Sequence, residues 1–195
     1  TSVADGAVGN PLHRWRADPP CVRLVLLRAV DAGAERARLA SAGLRVRDVQ
    51  HAERRLIYGA GGVARFRWFD SDSVPGTVVA WVQHLDREAL FDPDVIDQPN
   101  TAYAIEAVHC AATDWPAVLA DEDTGNVELC YGASRAAATG TVVGVDFLVR
   151  DIEACARALS ASGTPFKHEA GFVEVSPDVA CGTRLRFRAP AAVAR

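Results

Sequence analysis

Two histidines close strand-like rows. In Thr77 to Leu85 a period of two places Val78, Ala80, Val82 and His84 on one face; in Tyr103 to Cys110 it places Tyr103, Ile105, Ala107 and His109 together. A histidine at the end of such a row can move a proton near neutral pH or ligate a metal. The alternative is an ordinary core or rim histidine with its hydrogen bonds satisfied. Asp146, mid-run between Val145 and Phe147, is the carboxylate that could complete such a site, because a buried charge needs a partner. Parity puts it with Val142, Gly144 and Leu148, opposite the row Val143, Val145, Phe147 and Val149 that suits a helix. His84, His109 and Asp146 are therefore the candidate catalytic groups and also the candidate metal ligands. Glu174 and Glu106 lie in β-prone runs too. Alternation sets Glu106 with Ala104, Val108 and Cys110, opposite His109, so both serve one site only if a bulge intervenes. His51, in the charged run QHAERR, reads as a solvated strand end.

Trp68, Trp81 and Tyr103, with Val82 on the His84 row, are candidate substrate contacts. Aromatic side chains offer large flat areas for a ligand, and core packing is the alternative reading. Other chemistries lack their patterns. The five cysteines make an odd count with no C-x-x-C, which suits neither a disulfide framework nor a zinc site. Cys110 adjoins His109, but neighbouring strand residues face opposite ways. There is no G-x-S-x-G, P-loop or H-E-x-x-H, and Gly59 to Gly62 precede a strand rather than a phosphate-binding helix.

The elements that must position these groups come from a repeat. Residues 28 to 44 and 148 to 164 are the same kind of segment, 120 positions apart, with Asp31 on Asp151, Leu39 on Leu159 and Gly43 on Gly163. Each copy predicts an apolar strand, an Asp that caps a helix, and a Gly that ends it. Val22 to Leu27, Leu44 to Val49, Ala64 to Phe69 and Thr77 to Leu85 are predicted strands around a helix at Asp31 to Gly43. Residues 1–20 read as a flexible lead-in, 21–88 as a first module, 89–101 as a connection, and 102–190 as a second module with an extra strand-helix unit. That unit is a strand at Tyr103 to Cys110, a helix from Asp114 to Asp123 and a strand at Val127 to Tyr131. Val142 to Val149, Phe166 to Val175 and Thr183 to Arg188 complete the fold. A small-molecule cleft commonly lies between two such modules.

A chain of 195 residues with 49% hydrophobic and 24% charged residues can build a globular core. Its net charge of −4 argues against nucleic acid as a partner, and no apolar run is long enough for a membrane span. The polar start lacks a leader's hydrophobic centre, so the expected location is the cytoplasm.

The strand-Asp-helix-Gly-strand units and their doubling resemble the glyoxalase-like branch of the vicinal oxygen chelate superfamily over residues 22 to 188. So do the ending Val173-Glu174-Val175-Ser176-Pro177-Asp178-Val179-Ala180-Cys181-Gly182-Thr183-Arg184-Leu185-Arg186-Phe187, and Trp81-Val82-Gln83-His84-Leu85 followed by Gln98-Pro99-Asn100. The resemblance implies an α+β fold: paired βαβββ modules whose sheets curl around a cleft, with helices on the outer faces. It also implies a divalent metal that chelates two substrate oxygens, or in some members a bound drug and no metal. Such metal sites place a His seven residues ahead of the helix-starting Asp. Here Leu24, Ala107 and Gly144 stand in those places, and none can bind a metal.

Two functions stay open. One is an isomerase, lyase or cyclase that moves protons on an oxygenated, specialised metabolite, with His84 and His109 as acid/base groups or partial ligands beside Asp146. The other is a metal-free antibiotic-resistance protein that sequesters an aromatic drug on Trp68, Trp81 and Tyr103. A homodimer is compatible with both.

Overall fold

The computed structural model describes residues 22–57, 61–73, 77–90, 97–111, 128–131 and 142–190. The expected lead-in, the helix from Asp114 to Asp123 and residues 91–96 of the connection lie outside these residues. The chain is α+β, with two curled sheets built on paired βαβββ modules and helices on the outer faces.

The first module contains β1 (Leu24–Arg28), α1 (Ala32–Ser41), β2 (Gln50–Leu56), β3 (Gly62–Ser71) and β4 (Val78–His84), with sheet order β1-β4-β3-β2. Asp31 caps α1 as its spacing predicts: Oδ1 accepts the backbone N–H of Gly33 and of Ala34 at 2.8 and 3.0 Å. The helix then ends at Gly43, whose φ of +86° only a residue without Cβ adopts readily. A short helix, α2 (Arg87–Leu90), follows β4.

The second sheet holds β5 (Ala102–Cys110), β6 (Glu128–Tyr131), β7 (Val142–Val149), β8 (Lys167–Glu169), β9 (Phe172–Val175) and β10 (Arg184–Arg188), in the order β6-β5-β7-β10-β9-β8. Between β7 and β8 runs α3 (Ile152–Ala161), capped by Asp151, which accepts the Ala154 N–H at 2.9 Å. The order β7-β10-β9-β8 repeats that of the first sheet, so the sequence repeat is a structural duplication. β5 and β6 extend this second copy beyond β7.

One side of each sheet takes its helix. Ala32 and Leu39 of α1 pack with Phe69, Val79 and Trp81, and the same cluster reaches Cys110, Val142 and Val145 of the second sheet. Cys155 and Ala156 of α3 pack with Val149, Val173, Val175 and Phe187. An isolated antiparallel bridge, Val22 to Val142, ties the two modules together.

Two expectations about strands change. Leu44 to Val49 is not a strand: Leu44, Val46 and Val49 pack into the core, while the ladder with β3 runs over Gln50–Leu56. The second strand was hidden because it is an edge strand, and edges tolerate the charges of QHAERR. Phe166 to Val175 is not one run but the hairpin β8–β9, turning at Gly171 with φ +90°.

Candidate functional site

The face of the second sheet turned away from α3 gathers a cluster of ionisable side chains. Cross-strand register aligns Cys130, His109, Gly144 and Arg184 in one row, and the next row along β7 centres on Asp146. Diagonal neighbours on one sheet face lie within reach of long side chains. His109 and Arg184 both lean along that diagonal to Asp146: His109 Nε2 lies 3.0 Å from Oδ2, and Arg184 Nη2 donates to Oδ1 at 3.0 Å. Asp146 is 7% exposed, and side-chain exposures of 19% for His109 and 26% for Arg184 leave the group reachable from solvent but largely dry. A carboxylate held by Arg184 only accepts, so Nε2 is the nitrogen that donates to it.

The same face continues as an ion ladder. Arg186 donates through Nε and Nη2 to Glu174 Oε2 at 3.2 and 2.9 Å, and Arg188 donates to Glu106. That last bond raises the affinity of Arg188 for its proton. Strand alternation alone sets Glu106 opposite His109. The β5–β7 register, however, shifts between Ile105 and Ala107, so Glu106 is an extra residue and turns to Arg188. Cys130 flanks His109, and burial followed by the neighbouring Glu128 pushes its thiol up. Cys110 points into the core, where burial pushes its thiol up to about 12.

The corresponding face of the first sheet carries an apolar patch, flanked by Asp70 opposite Ala80 and Arg28 opposite Val82. Register places Trp68 against Val82 and Phe66 against His84, with Leu24 and Leu26 on β1 of the same face. Leu26 is 62% exposed. Burial, then the charges of Arg87 and Arg28, hold the His84 imidazole below its usual range. His84 thus sits on a different sheet from the His109–Asp146 pair and is not joined to it.

Trp81 is corrected as a ligand surface. It is fully buried and stacks on Phe69, with centroids 5.1 Å apart and planes 4° apart, on the α1 side of the sheet. The strand is buried on both faces, so its aromatic residue serves the core. Tyr103 is 46% exposed, with the Arg150 guanidinium 5.6 Å from its ring centroid.

A conventional divalent metal does not fit these residues. Leu24, Ala107 and Gly144 offer no ligand atom, and the Asp146 oxygen beside Gly144 already faces a cation, Arg184. Among the described residues no group of three His, Cys, Asp or Glu side chains converges to hold an ion. No described helix is long and apolar enough to cross a membrane.

Arg184 and Gly144 were not singled out as site residues from sequence. The period-two run Arg184, Arg186, Arg188 around Leu185 and Phe187 is the signal that could have marked the ionic face.

Fold and site together define a duplicated βαβββ protein with a partly buried His–Asp–Arg group on one inner face. No family model matches the chain, and no curated protein matches it. Among solved structures, a hypothetical protein from Staphylococcus aureus is similar to it at a TM-score of 0.51 and 12% identity. The match covers 86% of this chain and 66% of that one, so this chain spans under two thirds of that protein's length, and the likeness concerns the fold alone. A methylmalonyl-CoA epimerase from Mycobacterium tuberculosis aligns at 12% identity over 88% of this chain and 89% of its own, with a TM-score of 0.25. A second methylmalonyl-CoA epimerase aligns at 13% identity over 88% and 97%, with a TM-score of 0.24. Scores this low carry no functional weight.

Proposed function

We propose that the chain is a glyoxalase-like enzyme that moves a proton on an oxygenated small molecule, in the isomerase, lyase or cyclase class. The observation that carries this reading is the 3.0 Å contact between the largely buried side chains of His109 and Asp146, Nε2 to Oδ2. A carboxylate that orients an imidazole leaves the opposite nitrogen as a general base, an arrangement that typically contributes about 10²–10⁴-fold to rate. In this reading His109 Nδ1 takes the proton, Asp146 fixes the ring and holds the charge that develops on it, and the ion ladder keeps that face rigid. The superfamily resemblance of the sequence supports the same class.

A second reading has its own observation. The open apolar row of Leu24, Leu26, Trp68 and Val82 suits a metal-free protein that sequesters an aromatic drug. One experiment separates the two. The full chain is incubated in D₂O with a panel of enolisable carbonyl compounds, and loss of the α-proton signal is followed by NMR. Catalysed exchange supports the enzyme. Saturable binding of aromatic compounds with no exchange anywhere in the panel supports sequestration.

A further inference from the structure

We propose that Arg184 is the positioning residue that decides which nitrogen of His109 carries hydrogen, and that the missing side chain at Gly144 is what allows it. The proposal rests on the reading of His109 as a base and names how that base is set.

Gly144 lies in register between His109 on β5 and Arg184 on β10. A Cβ at 144 would stand 3.0 Å from Arg184 Nη2 and 3.3 Å from both Cζ and Nε. The guanidinium therefore lies over the glycine, and a Cβ there would press on it and push it aside by a few tenths of an ångström. Gly144 has no positive φ that would otherwise call for glycine. Its smallness serves the close approach.

From that seat Arg184 grips Oδ1 of Asp146 and leaves Oδ2 to His109. Its Nε is buried without a hydrogen-bond partner, and Glu174 Oε2 stands 4.0 Å away. Leaving such a donor unpaired is costly. Here the guanidinium is held by Asp146 and by the shape of the cradle. Without it, Asp146 could turn about its χ2 and the imidazole would lose the fixed acceptor that selects its Nε2–H form. A single cation thus acts on the base through the carboxylate, at one of the three positions where the family resemblance would place a metal-binding histidine.

The test is ¹⁵N NMR of the histidine rings in the full chain, recorded about two units above the ordinary imidazole pKa so that the rings are neutral. His109 is assigned by comparison with His109→Gln. The wild type is expected to show a wide separation between the two His109 nitrogen shifts, the mark of one tautomer. Arg184→Met and Gly144→Ala should each narrow that separation, as the two forms begin to interconvert, and Arg184→Lys should restore part of it. Gly144→Ala keeps every charge in the protein, so it decides the matter if Arg184→Met fails to fold. A separation unchanged in Gly144→Ala, or in a folded Arg184→Met, overturns the proposal. The readout needs no substrate, so it can fail while exchange catalysis stands, or hold while catalysis is absent.

Discussion

Leu26 and Asp146 occupy the same place in the two modules. Each lies five residues ahead of the aspartate that caps its helix, Asp31 or Asp151, and each faces away from that helix. Their register partners on the last strand of each module are Ala80 and Arg186. The two copies share a backbone order and differ in chemistry, with an apolar patch on one inner face and an ion ladder on the other. Leu26→Ala should cost less than about 1 kcal/mol, since most of its surface is already wet. Asp146→Ala removes acceptors from two partners and should cost about 2 kcal/mol. Urea unfolding of both variants checks the contrast.

Trp81 and Trp68 should separate core from surface. Trp81→Ala opens a cavity beneath α1 and should lose about 3–5 kcal/mol. Trp68→Ala, on the half-buried inner face, should lose about 1 kcal/mol. If a ligand stacks on the first module, Trp68→Ala should also weaken its binding, as read by calorimetry on the folded variant.

His84 should make the fold acid-sensitive. Its folded-state affinity for a proton is depressed below the ordinary 6.5 by burial and by Arg87 and Arg28. The unfolded chain therefore binds the proton more readily, and stability falls as pH drops through 6.5. No penalty applies above that value. His84→Gln should match the wild type's acid response above pH 6.5 and lose less stability below it, seen in melting curves across pH 5 to 8.

The Arg65–Asp86 pair should act in a different window. Arg65 donates its side-chain Nε and Nη2 and its backbone N–H to Asp86, holding that carboxyl down at about 2, against the usual 3.8. A depressed carboxyl stabilises above its unfolded value and loses that contribution as pH falls from about 4 toward 2. Asp86→Asn should melt below the wild type at neutral pH, and the gap should close near pH 2. Because the pair is exposed, added salt should narrow it as well.

Much of this architecture was legible from the repeat. Asp31 and Asp151 announce their helices, Gly43 and Gly163 end them, and the apolar strands between are strongly patterned. The parity of β7 set Asp146 away from the helix face, where the structure places it. Charge hid what remained, because β2 is an edge whose Glu and Arg side chains face solvent. Glu106 shows the other limit: one extra residue in β5 reverses the face that alternation assigns, and only pairing with β7 reveals it. Gly144 and Arg184 are 40 positions apart, and no local pattern joins a missing side chain to the guanidinium that fills its space.

The central claim is that His109, oriented by Asp146, is a base. Its most direct test compares α-proton exchange in D₂O for wild type, His109→Gln and Asp146→Asn on whichever carbonyl compound the wild type exchanges. His109→Gln should lose about 10²–10⁴-fold in rate, and Asp146→Asn should lose a large part of it, with both variants folded. A His109→Gln protein that exchanges as fast as the wild type would contradict the account.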